Sequence, residues 1–333
     1  MERVIQETDN DAFSCKISAI TKRYLPSSEQ KKIGNYEHYE DIHLEFCKEI
    51  KSRSRRKYAN ITKACRHSLP VMNYGTYLRT VSIDLKLTQW LKNNLENPAD
   101  KVQVINLGCG SDLRMMTFLA SFPGVQWLDL DYKDVVTFKS TILRSNAKFR
   151  ASLQIEGDLP EEPSSIENVI TDRYQLLPCN VTDDEQLIPI LKKYTDFSVP
   201  AVILTECVLC YLHESKASQL ISTVTGLYKQ GYWISYDPIG GSQTNDRFGS
   251  IMQDNLMESR QLSMPTLMVF NSEDKYKERF PGKSEIQTMW DYYQNHLEDS
   301  ERQRLKTLQF LDEIEELQVI FSHYVICTTN WRI

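Results

Sequence analysis

The sequence predicts an α/β fold built on an open parallel sheet, and three observations carry that expectation. Val102, Val104, Ile105 and Leu107 form a short apolar, β-branched run that runs straight into Gly108-Cys109-Gly110 and then into the helical pattern Leu113, Met116, Phe118, Leu119. Gly124-Val-Gln-Trp-Leu-Asp-Leu-Asp131-Tyr132 follows as a second strand ending in acids. Short apolar strands then alternate with helical patterns as far as Asp237, the rhythm of βαβ units. Strand, glycine turn and helix start together make the cradle of a nucleotide-type ligand in a Rossmann-like sheet.

What is missing narrows the ligand. The dinucleotide fingerprint has a third glycine where this chain has Leu113, and no Gly-Lys-Ser/Thr of a phosphate loop is present. A shortened G-x-G after a buried strand suits a ligand without phosphate, of which S-adenosylmethionine is the commonest; the alternative is a tight turn with nothing bound. Asp129 and Asp131 lie two apart, so both side chains share one face. Asp131, at the strand tip, is the better candidate to accept both hydrogen bonds of a ribose diol. The bland reading of that residue is a solvated acid ending a strand.

Taken in order, residues 1–69 read as a helical segment, with Phe13, Ile17 and Ile20 at i, i+4, i+7 and a stop at Tyr24-Leu-Pro. Lys48 to Arg66 is strongly basic, including Arg53, Arg55, Arg56 and Lys57, either a solvated face or an edge for an acidic partner. A helix opens at Pro70, with Leu78, Val81, Ile83 and Leu87 as its apolar face. Arg79, in its early part, is either a surface residue or a bidentate fork for a carboxylate. After the second strand, residues 133–149 are expected as one helix and 151–172 as an acidic surface insertion. Arg173 to Val181 is the third strand, ending in Asn180 and Val181, a polar and an apolar residue suited to the edge and face of an adenine. Residues 184–193 are helical, Pro200 to Glu206 is the fourth strand, 214–229 a helix and Gly231 to Asp237 the fifth strand. Glu206 ends a central strand where such sheets bind ligands. A glycine-rich exit leads into a helix capped by Asn245 or Asp246. The stretch from there to Glu315 reads as a helical lid or substrate-binding insertion, and Leu317–Asn330 as a closing antiparallel hairpin. One domain is expected, divided into 1–69, a cofactor-binding core 70–237, the lid 238–315 and the hairpin 316–333.

The chain has 333 residues and a net charge of −6, which speaks against broad nucleic-acid binding. No apolar run is long enough to span a membrane, and no signal-peptide core opens the chain. Eight cysteines, several inside apolar strands, read as reduced thiols of a cytoplasmic protein. Cys207-Val-Leu-Cys210 lacks the second pair a zinc site needs, so packing thiols are expected there and no metal.

The chain resembles the leucine carboxyl methyltransferases, the fungal members above all. The resemblance covers nearly its whole length and rests on Ser14-Cys-Lys16, Asn73-Tyr-Gly-Thr-Tyr-Leu-Arg79, Asn106-Leu-Gly-Cys-Gly-Ser-Asp112 and Asp129-Leu-Asp131. Thr205-Glu-Cys-Val-Leu-Cys-Tyr211, Asn245-Asp-Arg-Phe-Gly249-Ser-Ile-Met and Leu308-Gln-Phe-Leu-Asp-Glu313 are more specific to that family. The resemblance implies a class I S-adenosylmethionine-dependent methyltransferase fold. It also implies methylation of the C-terminal leucine carboxylate of the protein phosphatase 2A catalytic subunit. Lys16 and Arg79 would hold the carboxylate of the cofactor's methionine part, Gly108 would lie against it, Asp131 would bind the ribose and Glu206 would face the methionine end. The family pairs an aspartate with an apolar residue at the adenine; here that position is Asn180-Val181. Tyr211 and Arg247 match positions near the substrate pocket. A monomer is expected.

Such a reaction suits a site without a catalytic base, because a C-terminal carboxyl with a pKa of about 3.5 is an anion before it arrives. No histidine-based dyad or triad stands out among six scattered histidines. The alternatives are a related enzyme acting on a carboxyl of a modified tRNA base, which usually carries an appended repeat domain, and a non-catalytic phosphatase-binding module. A binder alone would not need Arg79, Asp131 and Glu206 together.

Overall fold

In the computed structural model, which describes residues 2–157, 167–311 and 314–332, five α-helices precede the first strand. They are α1 (Glu2–Thr21), α2 (Ser28–Ile33), α3 (Tyr39–Arg53), α4 (Arg55–His67) and α5 (Pro70–Asn94). Ser27 starts α2 through a reciprocal capping box with Gln30, which satisfies two otherwise orphaned N–H groups. Pro70 occupies the first turn of α5, where its fixed φ and missing N–H cost nothing.

The core then alternates β1 (Val102–Leu107), α6 (Arg114–Ser121), β2 (Val125–Asp131), α7 (Lys133–Ser145), α8 (Ala147–Leu153), β3 (Val169–Ile170), β4 (Tyr174–Pro178), α9 (Asp184–Tyr194), β5 (Ala201–Glu206), α10 (Glu214–Leu227) and β6 (Gln230–Pro238). The last part comprises α11 (Phe248–Arg260), α12 (Glu273–Lys277), β7 (Lys283–Thr288), α13 (Met289–Asp291, prolonged by a π-helical turn), α14 (Asp299–Lys306), α15 (Ile314–Phe321) and β8 (Tyr324–Arg332).

The eight strands form one sheet in the order β3-β4-β2-β1-β5-β6-β8-β7. β4, β2, β1, β5 and β6 run parallel, while β3, β7 and β8 join antiparallel. All six residues of β1 are buried, as a strand covered on both faces requires. Val102 and Val104 pack with the core of the N-terminal helices, and Ile105 and Leu107 with that of α9 and α10. The chain steps outward from β1 through β2 to β4 and returns on the other side at β5. The C-terminal ends of β1 and β5 therefore flank the crevice where ligands bind in such sheets. No helix of the described residues is long and apolar enough to cross a membrane.

Four expectations need correction. The helix expected over 133–149 is two, because Asn146 takes an extended conformation and its Oδ1 accepts from the N–H groups of Lys148 (3.0 Å) and Phe149 (3.3 Å) to start α8. The insertion expected over 151–172 begins with the end of α8 and includes β3, while its acidic centre, 158–166, lies outside the described residues. Residues 317–330 are not a hairpin: α15 buries Leu317 and Phe321 one turn apart, and the apolar run Leu-Gln-Val-Ile-Phe fits either period. The antiparallel partners of β8 are β6 and β7, so the stretch 238–315 is not all helical. β7 is a polar edge strand with no residue fully buried, which hid it from an apolar pattern.

Candidate functional site

A cavity of about 470 Å³ opens at the C-terminal ends of β1, β2, β4 and β5, within the usual range for small-molecule sites. The glycine turn forms its floor. Gly108 and Gly110 take φ of +71° and +49°; a Cβ would meet Val208 Cγ2 at 2.7 Å in the first case and Asp9 Oδ1 at 2.5 Å in the second. Only glycine fits both positions.

Every N–H of this turn is already spoken for. Those of Gly108 and Cys109 donate to the Leu130 carbonyl at 2.8 and 3.1 Å, and that of Gly110 to Asp131 Oδ2 at 2.7 Å. The N–H of Ser111 donates to Asp9 Oδ1 at 2.6 Å, and its hydroxyl to Asp9 Oδ2 at 2.7 Å. A pyrophosphate would find no free donor here and two carboxylates in its place. The missing third glycine is thus half of the reason for excluding a dinucleotide; the other half is Asp9, reaching in from α1.

Charge converges on Glu206 at the end of β5. Arg79 from α5 donates through Nε to Glu206 Oε1, and Arg114 Nη1 lies 3.1 Å from Glu206 Oε2. Arg114 is 4% exposed and also pairs with Asp84 (2.5 Å) and Asp112 (2.6 Å). Asp84 is tied in turn to Gln30 (2.6 Å) and Tyr36 (2.8 Å) of the N-terminal segment. Burial alone would raise the pKa of Glu206, but Arg79, Arg114 and Lys16 hold it well below the usual carboxylate range. Lys16 lines the cavity, donates to Thr80 Oγ1 at 2.5 Å, and has its own pKa lowered by burial. Burial, with a contribution from Asp9, pushes the Asp131 carboxyl up to about 6.

The sequence-derived candidates separate into two groups. Lys16, Arg79, Gly108, Asp131, Val181, Glu206 and Tyr211 all line the cavity. Burial raises the Tyr211 pKa, so its phenol is a hydrogen-bonding group and not a base. Asn180 is not part of the wall: its Oδ1 accepts from the N–H (3.1 Å) and hydroxyl (2.9 Å) of Thr182, an Asx turn that uses the oxygen expected at the adenine. The apolar side there comes from Val181 and Cys179. Arg247 is also outside the wall, exposed before α11, and its guanidinium makes no hydrogen bond or ion pair with a described residue. The tie at this place is Asp246, 2.7 Å from Nε2 of His323, whose ring stacks on Phe248.

Several residues of the site escaped the sequence reading. α1 covers the cavity together with α11, and Asp11 pairs with Arg260 across the two helices. The cover is therefore drawn from both ends of the chain and not from the lid alone. His43 also lines the cavity; its Nδ1 donates to the Tyr39 carbonyl at 2.8 Å, and burial lowers its pKa to about 4. It has no carboxylate partner among the described residues and is neutral at pH 7, so it forms no catalytic dyad. Arg114 left a legible sign, since a cation in the first turn of a helix opposes the helix dipole and needs nearby acids. Asp9 and His43, remote in sequence, left none. Cys207 and Cys210 are free thiols, Cys207 against the cavity at φ +56°. Among the described residues no cluster could hold a metal ion.

The donor set fits a zwitterionic nucleoside without phosphate. Lys16 and Arg79 are cations that could take an anionic end, Asp131 is a carboxylate that could accept from a diol, and Val181 with Cys179 offers an apolar side to a flat ring.

The model of the leucine carboxyl methyltransferase family matches residues 5–225. A relative named leucine carboxyl methyltransferase 1 from Eremothecium gossypii is 47% identical, over 99% of this chain and 100% of its own length. One of the same name from Yarrowia lipolytica is 30% identical over 98% and 96%. Among solved structures, a crystal structure assigned as a methyltransferase from Thermobifida fusca superposes with a TM-score of 0.52 at 13% identity. It covers 83% of this chain and 88% of the other, a likeness of fold.

Proposed function

Because the chain belongs to the leucine carboxyl methyltransferase family, we propose that it methylates the C-terminal leucine carboxylate of the protein phosphatase 2A catalytic subunit, with S-adenosylmethionine as methyl donor. The observation that carries this reading is the pairing of Glu206 with Arg79 and Arg114 beside a glycine turn whose N–H groups are all engaged. Arg79 and Lys16 would hold the cofactor's carboxylate, Glu206 its ammonium end, Asp131 the ribose diol, and Val181 with Cys179 the adenine face.

When bound, the cofactor supplies a sulfonium-activated methyl group, which passes to a carboxylate oxygen as the carbon–sulfur bond breaks. The protein's own task is alignment and exclusion of water. The substrate carboxylate, with a reference pKa of about 3.5, is ionised at neutral pH, so no side chain has to remove a proton. Holding oxygen, methyl and sulfur in line accounts for a barrier reduction of about 7–11 kcal/mol in well-oriented systems. Met252, Leu256, Leu262 and Met264, on and after α11, give that end of the cavity an apolar wall. There a carboxylate loses the hydration that weakens it as a nucleophile. Tyr211, in the cavity wall, would hydrogen-bond the arriving tail.

The test incubates labelled S-adenosylmethionine with the phosphatase catalytic subunit, with and without its terminal leucine. Base-labile label on the intact subunit alone supports the reading; no label on either, or equal label on both, overturns it.

A further inference from the structure

Phe310 is 84% exposed, although the chain on both sides of it is anchored. Leu308 and Leu311 pack against the main core, and Gln309 Oε1 accepts from Asn73 Nδ2 at 2.6 Å. Asn73 is fully buried and also holds the hydroxyls of Ser18 (2.8 Å) and Ser68 (3.1 Å). The phenyl ring therefore projects from a fixed base. The Asn73–Gln309 bond brings it to the first turn of α5, where Leu69 and Met72 are 60% and 49% exposed. α15 packs on the same helix through Phe321, 3.5 Å from where a Cβ of Gly75 would stand, and turns Val319 outward at 53%. Met72, Ile320 and Phe321 also line the cavity, so this apolar surface is continuous with its rim.

A cationic face borders it. From residue 50 to residue 83 the sequence contains no acid, in a chain whose net charge is −6. Arg55, Arg56, Lys63 and Arg66 of α4 are exposed and have no ion pair with any described residue. Arg66 is followed within three residues by Leu69. A projecting aromatic anchor, aliphatic neighbours and a rim of one charge are the features that protein-binding surfaces combine.

Resting on the reading above, we propose that Leu69, Met72, Val319 and Phe310 dock the methyl-accepting protein. The stretch just before its terminal carboxylate lies across them, and acidic residues of that stretch meet the free cations of α4. A tail that enters the cavity beside Met72 crosses this surface, and its apolar side chains cover what the fold leaves open.

The experiment measures methyl-ester formation on the phosphatase catalytic subunit by wild type, Phe310→Ala, Phe310→Asp and Arg66→Glu. Both Phe310 variants are expected to raise KM by about tenfold while kcat at saturation, cofactor affinity and melting temperature stay at wild-type values. Arg66→Glu is expected to raise KM at low ionic strength, with the difference fading as salt screens it. A KM within about twofold of wild type for Phe310→Asp overturns the docking surface, as does a fall in its melting temperature that marks the ring as structural. Absence of ester with the wild-type protein is a different result: it removes the substrate reading itself.

Discussion

Arg114 Nη1 stands 3.1 Å from a carboxylate oxygen of Glu206, and the same guanidinium pairs with Asp84 and Asp112. One buried cation thus joins the end of β5, the glycine turn and the N-terminal helices. Its removal leaves three acids short of their counter-charge. Arg114→Met is expected to lose about 3–5 kcal/mol of stability, measured by denaturant titration. Arg114→Lys should recover little, because a single ammonium cannot serve three carboxylates in the geometry of a fork.

Arg79→Ala is expected to weaken cofactor binding more than Lys16→Ala. Arg79 presents a planar fork already oriented by Glu206, whereas Lys16 offers one ammonium held by Thr80. The larger loss should be on the order of 2–5 kcal/mol by calorimetry. A worse result for Lys16→Ala would assign the carboxylate contact to the lysine.

Asp131 and Asp129 should separate binding from folding. Asp129 is buried with Lys139 at 2.8 Å, Tyr174 at 2.9 Å and the Trp127 indole at 2.7 Å, and nothing of it faces the cavity. Asp129→Asn is expected to lower the melting temperature, at a cost of about 3–5 kcal/mol for a broken buried pair. Asp131→Asn is expected to weaken cofactor binding with little change in melting. The reverse pattern would mean that the diol is held elsewhere.

Cofactor affinity should depend on pH through Asp131. Burial pushes its carboxyl up to about 6 in the free protein, and a ribose diol donates to the ionised form. Affinity is then full above about pH 6 and falls as pH drops through that value, by up to about tenfold per unit. Asp131→Asn should flatten this profile. The chemical step at saturating cofactor should stay flat from about pH 6 upward, because the substrate carboxylate is already ionised there. A rise centred near neutrality in single-turnover rates would require a titrating base.

Arg247→Ala is expected to leave the melting temperature unchanged, since its guanidinium has no hydrogen-bond or ion-pair partner among the described residues to lose. Asp246→Ala should lower it by freeing His323 and the glycine-rich exit of β6. If Arg247 orders the substrate tail, its removal raises KM for the phosphatase while cofactor affinity holds.

What could be read from the sequence was whatever backbone geometry alone determines. Gly108 follows from the turn, and Asp131 and Glu206 follow from standing at strand ends beside a switch point. Arg79 needed the tertiary fold, because nothing local sets which way a helical arginine points. Asn180 stands outside the cavity wall for a reason written two residues on: a Thr at 182 lets its side chain close a local turn. Asp9 and His43 come from helices about ninety and sixty residues before β1 in the chain, about which β1 carries no information. β7 and α15 were exchanged because an edge strand is polar and a short buried helix is not.

The place of β8 has a consequence for synthesis and assembly. It lies between β6 and β7, so β7 leaves the ribosome about forty residues before the strand it pairs with is complete. Until residue 332 has emerged, β6 exposes one unpaired edge and β7 two, the kind of open backbone that recruits a neighbouring chain. Removing β8 would not trim the sheet at its margin; it would cut the margin off, and β7 with it.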